Sequence, residues 1–130
     1  MSVAKTLWNC RVPMRDGVEI AADVMLPAGE GPFPAVVTRT PYMRKPGVWA
    51  RLVKQGYAYV TVDVRGRGDS DGEFTPFVHD AEDGHDTVEW VASQDWCDSN
   101  VGMVGISYEG LTQWWAAKAH PPHLKCIAPM

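Results

Sequence analysis

Short apolar runs alternate with helical stretches along most of this chain, and that alternation limits its possible folds more than any other feature. Runs rich in apolar and β-branched residues lie at 35–38, 57–64, 101–106 and 124–128. Such runs are typical of strands covered on both faces. Stretches with helical character lie between them, at 48–55, 80–93 and 108–119. The alternation favours right-handed crossovers and a mainly parallel sheet, which is an α/β fold.

The N-terminal third predicts a different local structure, an antiparallel hairpin. From 18 to 26 every second position is Val, Ile, Ala or Leu, a period of two that is typical of a strand with one buried face. The Arg-Asp-Gly sequence at 15–17 predicts the turn, and 7–14 is the expected partner strand. The Pro- and Gly-rich segment 27–34 then interrupts regular structure.

The middle helix carries an apparent start signal. Asp80 and Asp83 have the spacing of an N-cap residue and an acidic third helical residue. The sequence therefore predicts that these two carboxylates cap the helix over 80–93.

Composition excludes several classes of protein. With 130 residues, 45% of them hydrophobic and 22% charged, the chain has room for one globular domain at most. A net charge of -4 argues against nucleic acid and against anionic membranes as partners. The three widely spaced cysteines, Cys10, Cys97 and Cys126, indicate neither a disulfide framework nor a zinc site. With no leader pattern and no apolar stretch near ~18 residues, we predict a cytoplasmic protein.

Ser107 lies at a predicted strand-to-helix turn. The run 101–106 leads into it, and a helical segment starts at Tyr108. A nucleophile elbow needs this arrangement, because a cramped backbone pushes the hydroxyl clear of the sheet and helix amides face developing negative charge. Gly105 and Gly110 supply small neighbours, although the second comes one position later than in the strict G-x-S-x-G pattern. The alternative is an ordinary N-cap serine.

A nucleophilic serine also needs a base and hydrogen-bond donors for the oxyanion. The backbone N–H of Tyr108 is one candidate donor, since elbows of this type place a donor on the residue after the nucleophile. The second should come from the loop after an earlier strand, where Tyr42 offers a phenolic O–H. By spacing alone, a packing or hydrogen-bonding role in that loop is the better interpretation of Tyr42.

Four motifs, taken together, carry a family resemblance. They are R-T-P-Y at 39–42, D-V-R-G-R-G-D-S-D-G-E-F at 63–74, D-W-C-D-S-N-V-G-M-V-G-I-S-Y-E-G at 95–110 and L-K-C-I-A-P at 124–129. In this order they resemble the cocaine esterase/X-Pro dipeptidyl-peptidase family of serine hydrolases, and the segment from Ser107 is also similar to α-amino acid ester hydrolases. The family pattern G-x-S-Y-x-G accounts for the displaced glycine.

The resemblance covers the chain from the turn at 15–17 onward. It implies a partial α/β-hydrolase sheet, Ser107 as the acylated nucleophile, and the Tyr42 hydroxyl and Tyr108 N–H as oxyanion donors. It implies neither a metal nor an organic cofactor. The expected partner is a small-molecule ester or amide substrate.

The acid and base of such a triad are missing from the sequence. They follow the serine along the chain in this fold, yet only Glu109, His120 and His123 follow Ser107 as candidates. Glu109 lies two residues on in the elbow helix, and both histidines flank a Pro-Pro turn at its far end. His79 and His85, which precede Ser107, are interpreted as ordinary solvated or packed residues. We therefore predict that 1–130 is the N-terminal part of a catalytic domain, inactive alone.

Two hypotheses of function remain open. One is a serine hydrolase that, when complete, cleaves carboxylic ester or amide bonds through an acyl-enzyme at Ser107. The other is a truncated, non-catalytic relic or binding module that lacks the triad acid and base. Apolar surface left uncovered by truncation would favour self-association.

The glycine-rich segment 65–72 suggests other functions that its spacing does not support. Neither G-x-G-x-x-G nor G-K-[ST] is present, so a phosphate cradle is excluded. A calcium loop would need a further acidic ligand and a closing Glu. We interpret the segment as a tight loop after a strand, in which Asp63 and Arg65 pair with each other or with neighbours.

Overall fold

A computed structural model describes residues 3–130 of the chain. Within that range the strands are β1 (Val3–Pro13), β2 (Glu19–Pro27), β3 (Phe33–Thr40), β4 (Ala58–Asp63), β5 (Cys97–Gly105) and β6 (Leu124–Pro129). The helices are a 3₁₀ helix (Val48–Gln55), α1 (Asp80–Ala92) and α2 (Tyr108–Lys118). Each predicted strand and helix is present, and the boundaries differ by a few residues.

The strands form one mixed sheet in the order β1-β2-β4-β3-β5-β6. The pairs β1–β2 and β2–β4 are antiparallel, whereas β4–β3, β3–β5 and β5–β6 are parallel. This confirms the expected α/β sheet with an antiparallel N-terminal hairpin. After β3 the chain adds β4 on one side and then crosses back to add β5 on the other. Ligands of open α/β sheets bind at such a reversal, outside the carboxyl ends of the strands.

Both faces of the sheet are covered in its centre. Helices α1 and α2 pack on one face, where Val88 and Ala116 join the apolar residues of β2, β3, β4 and β5 in the main core. The 3₁₀ helix packs on the other face, where its Val53 contacts Met25 and Tyr59. Burial on both sides corrects one expectation: β2 is buried at nearly every position rather than on one face.

The predicted cap of α1 is wrong. His79 is the N-cap residue and makes no side-chain capping bond. Asp80 instead faces Arg39, and Asp83 binds Arg65 through two hydrogen bonds. The buried guanidinium groups take these carboxylates because a buried charge without a partner costs more free energy than a helix cap supplies. The segment 48–55 is also a 3₁₀ rather than an α-helix, although Gly56 ends it in the left-handed conformation as expected.

The far edge of the sheet is only partly covered. Strand β6 has mostly exposed or half-buried residues and pairs on one side, with β5. Leu111 and Trp114 on α2 are also exposed. Self-association through such surface stays a prediction. Among residues 3–130, no helix has the length and apolarity that a membrane crossing requires.

Candidate active site

Ser107 occupies a strained backbone conformation at the junction of β5 and α2. Its φ is 64° and its ψ is -122°, and the residue is exposed. A side chain at such angles costs about 1–3 kcal/mol and persists only where the surroundings enforce it. Ser107 stands at the N-cap position, yet its hydroxyl makes no capping hydrogen bond. The alternative of an ordinary N-cap serine therefore does not describe this residue.

The two glycines around the serine are required by close contacts. A Cβ on Gly105 would lie 2.5 Å from the Cβ of Glu109, so a larger residue would push the helix away from the strand. A Cβ on Gly110 would lie 2.9 Å from the carbonyl oxygen of Met130, at the end of β6. The G-x-S-x-x-G spacing thus lets the first turn of α2 sit directly against β5 and β6.

Backbone hydrogen bonds on both sides enforce the strained turn. The Ser107 N–H donates to the Met130 carbonyl at 2.8 Å, and the Met130 N–H donates to the Gly105 carbonyl at 3.0 Å. The Ser107 carbonyl accepts hydrogen bonds from the Gly110 and Leu111 N–H groups, and these bonds close the first turn of α2. The turn is therefore tied to β6 and to α2 at once.

The backbone N–H of Tyr108 is free within residues 3–130. The first N–H groups of a helix have no acceptor within the helix. The Tyr108 N–H also donates to no acceptor outside the helix in that range. It also lies at the positive end of the α2 dipole, which favours an anion. The predicted first oxyanion donor is thus available for a ligand.

Tyr42 lies beside the elbow, at the end of β3. It is 55% exposed, and it lines a cavity of about 370 Å³ together with Ile106 and Glu109, which flank the serine turn. Threonines of β3 and β4 and the side chain of Tyr59 line the same cavity. The Tyr59 hydroxyl donates to Thr38 Oγ1 at 3.0 Å. The structure thus brings Tyr42, Ser107 and Tyr108 to one end of the sheet. Tyr42 lines the cavity, and Ser107 and Tyr108 lie in the chain between two of its lining residues, Ile106 and Glu109.

The side chain of Tyr108 joins a buried ion pair under the elbow. Its hydroxyl donates to Asp80 Oδ2 at 3.0 Å, and Phe77 stacks on its ring with centroids 5.1 Å apart. Arg39 is fully buried and approaches Asp80 Oδ1 at 3.4 Å, while its Nη1 donates to the Asp80 carbonyl at 3.2 Å. The first residue of α2 is thereby tied through α1 to β3.

Burial and the neighbouring carboxylate change the acidity of Tyr108. Desolvation first, and then the negative charge of Asp80, raise the pKa of the Tyr108 phenol to about 12. Both effects disfavour the phenolate. The hydroxyl therefore remains a hydrogen-bond donor to Asp80 far above neutral pH.

Sequence reasoning missed several residues of this region. Arg39 and Asp80 were given no role beneath the elbow, although an arginine inside an apolar, doubly covered strand is a sign that a buried carboxylate lies nearby. Glu109 was considered only as a triad acid, yet this residue lines the cavity.

No histidine is bonded to the serine within residues 3–130. The His123 ring pairs with Glu89 at 2.7 Å, and the His85 ring contacts Asp86 at 3.3 Å. The Ser107 hydroxyl accordingly has no base hydrogen-bonded to it in the described range. The region therefore combines an exposed serine hydroxyl, a Tyr108 N–H without an acceptor and the Tyr42 phenol within the described residues.

Comparison with known proteins gives a consistent set of relatives. A family model described as X-Pro dipeptidyl-peptidase (S15 family) matches residues 16–130. The chain is 46% identical over 129 residues to cocaine esterase from Rhodococcus sp. (strain MB1 Bresler), an alignment that covers 93% of this chain and 22% of the esterase. It is 34% identical over 150 residues to a putative serine esterase from Mycobacterium bovis, covering 93% and 24% of the two chains.

Solved structures show the same fold. A CocE/NonD family hydrolase from Staphylococcus aureus superposes with a TM-score of 0.85 at 31% identity, over 95% of this chain and 27% of that one. An α-amino acid ester hydrolase has the same TM-score and identity, over 99% and 26%. The chain thus spans about a quarter of the length of these relatives.

The strain at position 107 predicts an unusual ranking of two variants. Ser107→Gly should be more stable than Ser107→Ala by about 1 kcal/mol, because glycine adopts a positive φ without a Cβ clash. Urea unfolding of both variants measures the difference. The matched control is Ser93, which ends α1 at a φ of -82° and where glycine should be no better than alanine. Equal stability of the two Ser107 variants would contradict the strain.

The raised phenol pKa predicts how stability changes at high pH. Tyr108 ionises with an ordinary pKa of 10.0 when unfolded and at about 12 when folded. Its contribution to stability is therefore complete below pH 10 and is lost as the pH rises to 12. Phenolate absorbance of the wild type minus that of Tyr108→Phe should show a midpoint near 12. A midpoint at the ordinary value would show that Asp80 and burial do not act on this phenol.

Proposed function

This chain belongs to the X-Pro dipeptidyl-peptidase (S15) family, and from that premise we propose that it forms the nucleophile-bearing part of a serine hydrolase. The family is one of ester and peptide hydrolases. The observation that carries the proposal is that Ser107 is exposed at a strained strand-to-helix turn, where its hydroxyl makes no capping hydrogen bond and the adjacent Tyr108 N–H donates none within residues 3–130. In this proposal the complete hydrolase cleaves the carboxylic ester or amide bonds of small molecules.

In the proposed reaction the Ser107 hydroxyl oxygen attacks the substrate carbonyl carbon while a histidine takes its proton. The carbonyl oxygen becomes an oxyanion, which accepts hydrogen bonds from the Tyr42 hydroxyl and the Tyr108 N–H. The bond to the leaving alcohol or amine then breaks, and the histidine returns the proton to that group. Water hydrolyses the acyl-enzyme by the same steps. The histidine and its orienting carboxylate belong to segments outside the described residues.

The surroundings of the serine favour a small substrate. The cavity beside it has about 370 Å³ and combines threonine and tyrosine hydroxyls with the apolar side chains of Met43, Val48 and Trp49. Pockets of this size hold small organic molecules. Lys45 and Glu109 place one charge of each sign on its wall. Because Cys10, Cys97 and Cys126 are all free, a reducing compartment, the cytoplasm, is the proposed location.

The proposal predicts the cost of removing one oxyanion donor. In the full-length protein, Tyr42→Phe should lower kcat for an activated ester by about 10²–10³-fold, as loss of a single donor does elsewhere. Ser107→Ala should abolish the burst of acyl-enzyme. The control is Tyr57→Phe, a tyrosine that precedes β4 and does not line the cavity. A kcat of Tyr42→Phe equal to that of the wild type would remove Tyr42 from the site.

A second candidate, a non-catalytic module, is favoured by one observation: Ser107 has no hydrogen-bonded base within residues 3–130. A serine hydroxyl without a base is a weak nucleophile. The intact mass of the native protein and its labelling by a serine-reactive phosphonate separate the two. The hydrolase predicts a mass well above 14.4 kDa and an adduct on Ser107. A mass of 14.4 kDa with no adduct would support the non-catalytic module.

A further inference from the structure

The loop that carries Tyr42 is held by hydrogen bonds on both sides of that residue, whereas the tyrosine hydroxyl is not held within residues 3–130. Tyr42 is 55% exposed, and its backbone N–H donates to Thr40 Oγ1 at 3.0 Å. Within residues 3–130 its hydroxyl makes no hydrogen bond. The direction of the side chain is therefore set by the backbone of the loop.

Arg44 anchors the loop on the C-terminal side. Its backbone N–H donates to Asp63 Oδ1 at 2.7 Å, and its Nη1 binds Asp63 Oδ2. Its Nε lies 3.0 Å from Asp23 Oδ1, and its Nη1 lies 3.1 Å from Asp69 Oδ2. The Arg44 side chain is 9% exposed and that of Asp63 is 1% exposed. Charged hydrogen bonds in such a buried setting are strong and directional.

Met43, between the tyrosine and the arginine, has a φ of 73°. A non-glycine residue adopts this left-handed conformation only where its neighbours hold it. The Arg44 anchor is one residue away and supplies such a constraint. Met43 itself is 61% exposed, so packing of its side chain does not supply it.

The glycine-rich segment 65–72 anchors the other side of the loop. Arg67 Nε donates to the Pro41 carbonyl at 2.9 Å, and Val64, which directly precedes the segment, donates its N–H to the Thr40 carbonyl at 3.0 Å. The same segment holds the carboxylate that binds Arg44, since the Asp69 N–H donates to Asp63 Oδ2 at 3.1 Å.

Gly68 is required for this arrangement. Its φ is 53°, and a Cβ there would lie 2.2 Å from Asp63 Oδ2. Any side chain at this position would displace the carboxylate that Arg44 binds. The R-G-R-G-D-S-D-G motif, which matches neither a phosphate cradle nor a calcium loop, thus has a structural task at the site.

We propose that Arg44, with Asp63 and the 65–72 loop, is a positioning device that holds the Tyr42 hydroxyl where it donates to the oxyanion. The inference rests on the proposed function of Tyr42. Arg44 ties its own loop to Asp63, and Arg67 binds the Pro41 carbonyl of that loop, so both act through Tyr42. Misplacing a donor by about 1 Å weakens transition-state binding far more than substrate binding, which lowers kcat and leaves KM nearly unchanged.

The test uses Arg44→Lys in the full-length protein. Lysine keeps the positive charge beside the buried carboxylates, and therefore the fold, but cannot reproduce the planar fork of contacts. We expect kcat to fall about 10–100-fold. Arg67→Ala removes the contact with the Pro41 carbonyl and the cation–π contact with Phe74 but leaves the Arg44 anchor in place, so it should give a smaller loss in kcat. The control is Arg11→Lys, since Arg11 contacts the Asp69 carbonyl and Asp71 of the same glycine-rich segment but not the Tyr42 loop.

A double-mutant cycle separates positioning from general damage. If Arg44 acts through Tyr42, Arg44→Lys should cost little more activity once Tyr42→Phe has already removed the hydroxyl. The proposal would be overturned if Arg44→Lys lowered kcat by the same factor in the wild type and in Tyr42→Phe. It would also be overturned if folded Arg44→Lys had an unchanged kcat.

Hydrogen exchange of the loop amides gives a readout that needs no activity. Amides of residues 42–44 should exchange faster in Arg44→Lys than in the wild type or in Arg11→Lys. Unchanged exchange would overturn the anchoring role. If the wild type hydrolyses no ester and Ser107 takes no phosphonate, the proposed function fails, and the exchange rates still decide whether Arg44 holds the loop.

Discussion

The strained backbone of Ser107 is the constraint on which the rest of this region depends. Its positive φ is held by hydrogen bonds from β6 on one side and from the first turn of α2 on the other. Gly105 and Gly110 let those elements approach closely enough to hold it. Without these contacts to the sheet and the helix, the turn would relax, and the Ser107 hydroxyl and the Tyr108 N–H would lose their fixed positions.

Buried arginine–aspartate pairs connect the surrounding loops to the sheet. Arg39 and Asp80 lie under Tyr108, Arg44 and Asp63 lie beside the Tyr42 loop, and Arg65 joins Asp83 of α1 to Asp16 of the hairpin turn. Such pairs add little net stability compared with apolar packing. Their contribution is directional, because each guanidinium fixes the position of one loop relative to a strand. Both proposed oxyanion donors lie on segments held in this way.

The sequence predicted the order of elements well because the apolar runs and the Gly and Pro boundaries are strong local signals. The elbow at Ser107 was predictable for the same reason, since it needs only a strand, a serine, a helix and small neighbours. The pairing of Asp80 with Arg39 was not predictable from the sequence. An aspartate at a helix start has the same local sequence signal whether it caps the helix or binds an arginine 41 residues earlier in the chain. The burial of both faces of β2 likewise depends on the 3₁₀ helix that packs against it.

Ser107 is the proposed nucleophile, and Tyr42 and Tyr108 are the proposed donors to its oxyanion; a crystal structure of the full-length protein after reaction with a phosphonate tests this site most directly. The phosphonyl oxygen stands in for the oxyanion of the tetrahedral intermediate. The account predicts phosphorus bonded to Ser107 Oγ, with that oxygen within about 3.2 Å of both the Tyr42 hydroxyl and the Tyr108 backbone nitrogen. Phosphorus on another residue, or an oxygen directed away from Tyr42, would contradict it.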